Sequence, residues 1–172
     1  MITRHHTSDE ATSWAHFSEC RTYRYALERR WGAGKSVAFV MLNPSTADER
    51  RNDPTIARCE RRARDWGFDA LRIVNLFAFR ATLPADLRRA SDPYGPDNAA
   101  ALDDAADWAD TMLAAWGVHG ALLGAGPAFA ARTDRPLMHL GLTQAGHPRH
   151  PLYVSYATTP VVWEGHWADR PQ

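Results

Sequence analysis

Two apolar runs constrain this chain more than any other feature. Residues 36–42 read SVAFVML and residues 71–77 read LRIVNLF, with little of the polar alternation of a half-wet strand. Runs of this length are strands covered on both faces, as in a parallel sheet lying between helices. Residues 55–66, TIARCERRARDW, separate them and repeat at helical spacing. Ile56, Cys59, Ala63 and Trp66 share one face, while Arg58, Arg61, Arg62 and Asp65 are expected to face outward. Asp53-Pro54 supplies a cap and a first-turn proline, and Gly67 ends the helix.

The rest of the chain extends this pattern. Residues 20–31, CRTYRYALERRW, alternate around Tyr23, Tyr25 and Leu27 and are followed by the turn signal Gly32-Ala33-Gly34-Lys35. With SVAFVML they are expected to form a β-hairpin. ATLPADL (81–87) predicts a short helix, and the Ala- and Asp-rich residues 97–109 a longer one. TMLAAWG (111–117) and PLMHLGL (136–142) predict a third and a fourth strand around a short helix near 127–132. The order specifies an α/β three-layer sandwich with a mostly parallel four-stranded sheet plus an N-terminal β-hairpin. Residues 1–12 are polar and expected to be a flexible N-terminus, with 13–172 a single α/β domain.

Several classes are excluded at this stage. No apolar run approaches the roughly 18 residues of a membrane span, so no membrane partner is expected. The start, MITRHHTSDE, has no apolar stretch like that of a signal peptide. Cys20 and Cys59 are too few for a disulfide scaffold and are read as reduced thiols of a cytoplasmic protein. The formal net charge of zero conceals an asymmetry: residues 1–90 hold 16 Lys and Arg against 11 Asp and Glu, and residues 91–172 hold 4 against 9. Of the 20 basic residues in the whole chain 19 are Arg, and both codon bias and a phosphate-facing surface account for that preference.

In an open α/β sheet, ligands bind beyond the carboxyl ends of the strands. Those ends carry Asn43-Pro44-Ser45-Thr46, Asn75-Leu76-Phe77, Trp116-Gly117 with His119, and the loop Gly146-His147-Pro148-Arg149-His150-Pro151-Leu152-Tyr153. Carboxamides, hydroxyls, imidazoles and rings on one edge suit a planar polar molecule such as a nucleobase. His147 and His150 have no acidic or sulfur ligand nearby in sequence and are flanked by prolines, so no metal is expected. Gly124-Ala125-Gly126 lacks the third glycine of a dinucleotide fingerprint, and there is no Walker lysine, so no cofactor is expected either.

CRTYRYALERRW, MLNPSTADERRNDPTIARC, NLFAFRAT, DPYGPDN, AAWG and GHPRHPLY, in this order, resemble the bacterial family of domain of unknown function 1643. A buried strand ending in Asn-Pro, a later strand ending in Asn, a Trp-Gly strand end and a final His-Pro loop are more distantly similar to the uracil-DNA glycosylase superfamily. That resemblance implies the corresponding fold and hydrolysis of the N-glycosidic bond of a base or modified base in DNA. It implies catalytic roles for Asn43 and His150 and base reading by Asn75, with Pro44 and Pro151 as the motif prolines. Met41 stands where the motif glycine is usual, and Leu152 where a serine is. Ser45, Phe77 and Tyr153 are expected around the base, and Arg50, Arg51, Arg58, Arg61, Arg62 and Arg149 on phosphates. The same pocket also suits a non-catalytic nucleotide- or nucleic-acid-binding module, or a hydrolase or transferase of a nucleoside-like metabolite.

Overall fold

The computed structural model describes residues 1–164; residues 165–172 of the expected domain lie outside the described part. It contains one eight-stranded mixed sheet: β1 (Ile2–Thr7), β2 (Thr12–Phe17), β3 (Arg24–Arg30), β4 (Ser36–Met41), β5 (Ala70–Asn75), β6 (Thr111–Ala114), β7 (Leu137–His139) and β8 (Val161–Val162). The spatial order is β1-β2-β3-β5-β4-β6-β7-β8. The four strands β5, β4, β6 and β7 run parallel. Antiparallel strands extend them on both sides.

Both predicted core strands are buried throughout in β4, and at all but Arg72 in β5. Their alternate residues feed two separate cores. Val37, Phe39, Met41, Leu71 and Ile73 pack with Ile56, Cys59 and Ala63 of α1 (Pro54–Asp65). Ala38, Val40 and Val74 pack on the opposite face with α3 (Asn98–Trp108) and α4 (Ala125–Arg132), after the short α2 (Pro84–Arg89). The result is helix, sheet, helix. The predicted cap of α1 is present, with the Asp53 carboxylate accepting from the Ile56 amide at 2.9 Å.

Three expectations need correction. The sheet has eight strands rather than four: β3 belongs to it, and β1, β2 and β8, which are not among the expected strands, extend it further. β3 and β4 are not a hairpin, since β5 lies between them and pairs with both. The glycine turn closes onto the start of β5: Trp31 and Gly32 amides donate to Asp69 O, and Gly34 N to Asp69 Oδ2. Residues 2–7, expected in a flexible tail, form β1, paired with β2 from Ile2↔Phe17 to Thr7↔Thr12. Its residues alternate between half-buried and exposed, a pattern that polar side chains satisfy as well as apolar ones.

Candidate functional site

The carboxyl ends of β4, β5 and β6, the loop after β7 and the first turn of α1 enclose a cavity of about 530 Å³. Asn43, Asn75 and His150 all line it, together with Ser45, Arg149 and Tyr153. The parallel register explains the first pairing, for Met41 lies opposite Asn75. Asn75 shares its face of β5 with Ile73, which also lines the cavity.

Asn75 is 1% exposed, yet neither atom of its carboxamide has a hydrogen-bond partner. Its backbone is held firmly: Asn98 Nδ2 donates to Asn75 O and to Leu76 O, each at 3.0 Å. A buried amide without partners costs free energy, so an anchored one at a cavity wall is poised for a ligand that supplies both a donor and an acceptor.

Asn43 is oriented differently. Its Nδ2 donates to Ala81 O at 2.8 Å and to Pro44 O at 3.1 Å, which leaves Oδ1 as the available acceptor. His150 accepts at Nδ1 from the Leu152 amide at 3.2 Å. Burial holds its pKa below the ordinary histidine value, against an opposing pull from the Asp53 carboxylate. The neutral imidazole therefore carries its proton on Nε2, as a donor.

The His150 loop is clamped from several directions. Gly117 N donates to Pro148 O at 2.8 Å, and Arg149 N to Gly141 O at 2.9 Å. Gly117 has φ +72°, and a Cβ there would sit 3.4 Å from His150 Cβ, so the loop presses close on the end of β6. Pro151 starts the short turn 151–153 and is buried. Tyr153 is 77% exposed and stands at the cavity rim, its ring centroid 5.9 Å from that of His150.

Other expected site residues fall elsewhere. Phe77 is fully buried against Tyr94 and does not line the cavity, so it offers no face for stacking. Pro44 is buried and does not line the cavity. Arg62, expected to face outward, is 1% exposed and donates to the carbonyls of Pro151, Val154 and Ser155. Arg58 donates to Pro151 and Val154, and Arg58, Arg61 and Arg62 surround the Tyr156 ring. These α1 arginines brace the segment after His150. Arg50, Arg51 and Arg149 are exposed, Arg50 lying 3.7 Å from the Glu49 carboxylate.

Sequence reasoning missed Arg24, which lines the cavity from β3. It alternates with Tyr23 and Tyr25, a pattern that assigns it to the solvent side. Burial comes from the strands on either side of β3 and from the loop at Ala47, which no local signal reveals. Asp53 and Trp116 also line the cavity, and Trp116 Nε1 is buried without a partner. Among the described residues no group of three or more His, Cys, Asp or Glu is placed to hold a metal, and no helix is long and apolar enough to cross a membrane.

Fold and site together define an α/β protein whose parallel strands end at a cavity where a few polar side chains are set among apolar and aromatic ones. Residues 24–152 match the family described as "Protein of unknown function (DUF1643)", and the chain belongs to that family. Neither a curated protein nor a solved structure matches the chain.

Proposed function

We propose that this protein is a glycosylase-like enzyme that takes a base or modified base of DNA into the cavity and hydrolyses its N-glycosidic bond. The observation that carries this reading is the convergence of Asn43, Asn75 and His150 on one cavity, with the Asn75 amide buried and unpartnered. These are the positions that the likeness to the uracil-DNA glycosylase superfamily marks.

Breaking the bond develops positive charge on the sugar and negative charge on the base. Asn75 reads the base edge through its paired donor and acceptor. His150 donates from Nε2 to a base oxygen and stabilises the leaving anion; a preorganised donor of this kind is worth about 2.7–4 kcal/mol. Asn43 Oδ1 holds the attacking water. A carboxamide takes no proton, so as the water's oxygen bonds to the sugar carbon and the C–N bond breaks, the water's proton passes to Asp53, the carboxylate that lines the same cavity, and on to the released base. Exposed Arg50, Arg51 and Arg149 contact phosphates, which makes binding salt-sensitive.

The test is incubation with oligonucleotides carrying uracil, hypoxanthine or bulky modified pyrimidines, followed by alkaline cleavage. An abasic site on at least one substrate is expected, lost in Asn43→Ala and His150→Ala. Intact strands across the panel at enzyme excess overturn the reaction. The carboxamide at position 43 favours a second reading, a binding module, whose signature is saturable binding with no product by mass spectrometry.

A further inference from the structure

The cavity contains a buried cation that the glycosidic chemistry does not use. Arg24 is 1% exposed and lines the same space as Asn75. Its Nη1 donates to Ala47 O at 2.7 Å, while Nε is buried with no partner. It forms no ion pair among the described residues. Burial, reinforced by the like charges of Arg80 and Arg29 and opposed by Asp53, brings its pKa down to about 10. The group is therefore still a cation at neutral pH, with Asp53 near enough to be felt but no carboxylate in direct ion-pair contact among the described residues.

The orientation is informative. With Nη1 committed to Ala47, the Nε–Nη2 edge is left, the two-donor edge that matches a pair of phosphate oxygens. A second guanidinium, Arg149, lines the cavity from its exposed rim. Thr55 and Ile56 bring the first turn of the twelve-residue α1 to the wall, adding the positive end of its dipole. Asp53 is the one acidic residue of the lining, so the cations outnumber it.

We propose that Arg24 is a phosphate-binding residue, and that the cavity takes a nucleotide unit with its phosphate rather than a bare base. The base half rests on the reading of Asn75 above; the phosphate half stands on Arg24 alone. The phosphate has two sources, the monoester of a free nucleotide and the diester of a strand.

Titration calorimetry on the full chain tests this with inorganic phosphate, deoxyuridine, deoxyuridine 5′-monophosphate and the dinucleoside phosphate of deoxyuridine. Phosphate is expected to raise the melting temperature at constant ionic strength, where chloride does not. The monophosphate or the dinucleoside phosphate binds about ten- to a hundredfold more tightly than the nucleoside, the range of a charged hydrogen-bonded contact. Which of the two gains identifies the source. Arg24→Gln removes that gain and Arg24→Lys keeps part of it. If Arg24→Gln does not fold, the wild-type ratio and the phosphate effect decide. Equal binding of nucleoside and phosphorylated ligands, or no stabilisation by phosphate, overturns the subsite. Phosphate binding without base release keeps the subsite and removes the reaction; base release indifferent to phosphate does the reverse.

Discussion

The two ends of the parallel strands treat their polar groups in opposite ways. At the amino end, Asp110 Oδ2 accepts from Ser36 N at 2.8 Å and Ser36 Oγ at 3.1 Å, and Asp69 Oδ2 accepts from Gly34 N at 2.7 Å. Arg135 closes the last carbonyls of α3, donating to Ala106 O and Ala109 O at 2.6 Å each. Every one of these groups is used within the fold. At the carboxyl end, Arg24 Nε and both amide atoms of Asn75, in residues that line the cavity, are buried with no protein partner. Polar groups at the first end hold the sheet together. Those at the second are held in place by the sheet without a partner, a cost that a ligand with matching groups would offset.

The contrast gives mutations opposite signatures at the two ends. The largest effect belongs to Asn75→Leu. Base release falls by about a hundredfold or more, the scale of losing a preorganised donor. The free protein gains about 1–3 kcal/mol because an unpartnered buried amide is removed, measured as a higher melting temperature. A loss of stability with retained activity would mark Asn75 as structural. Next comes Arg62→Ala, which uncouples the segment after His150 from α1. Stability is expected to fall by about 2–3 kcal/mol by denaturant titration, with activity lost in parallel. Ser36→Ala, at the amino end, costs about 1–2 kcal/mol by the same titration and leaves ligand affinity unchanged.

The smallest effect is a pH dependence. Burial holds His16, His139 and His150 below their ordinary value of 6.5 in the folded chain. Below that value the unfolded chain binds protons that the folded one refuses. Stability is therefore present above pH 6.5 and declines as pH falls from there through the lowered folded values. A melting temperature flat from pH 7 to pH 5 would contradict this.

The meeting of Asn43, Asn75 and His150 at one cavity was more legible in the sequence than the sheet around it. Asn43, Asn75 and His150 converge because chain direction is shared along parallel strands, so the ends of separate apolar runs must meet at one edge. Asp53-Pro54 marked the start of α1 because capping is local chemistry. What escaped was long-range. A glycine turn between two strands suggests a hairpin, but Asp69, distant in sequence, draws that turn onto β5. Arg62 has the spacing of an outward residue, and its acceptors lie at 151–155, across the fold. Arg24 sits within an alternation that marks it as solvated, yet it donates to a loop carbonyl beyond β4, at Ala47. Periodicity reports which face a residue occupies; it does not report what later covers that face.

The most direct measurement follows the side-chain amide of Asn75 in the ¹⁵N-labelled protein, assigned by its loss in Asn75→Leu. Titration with free uracil, hypoxanthine and modified pyrimidine bases is expected to move that resonance saturably for at least one base, with the Asn98 amide nearly still because its Nδ2 is already bonded. An Asn75 resonance unmoved by every base at saturating concentration would contradict the assignment of this cavity to base recognition.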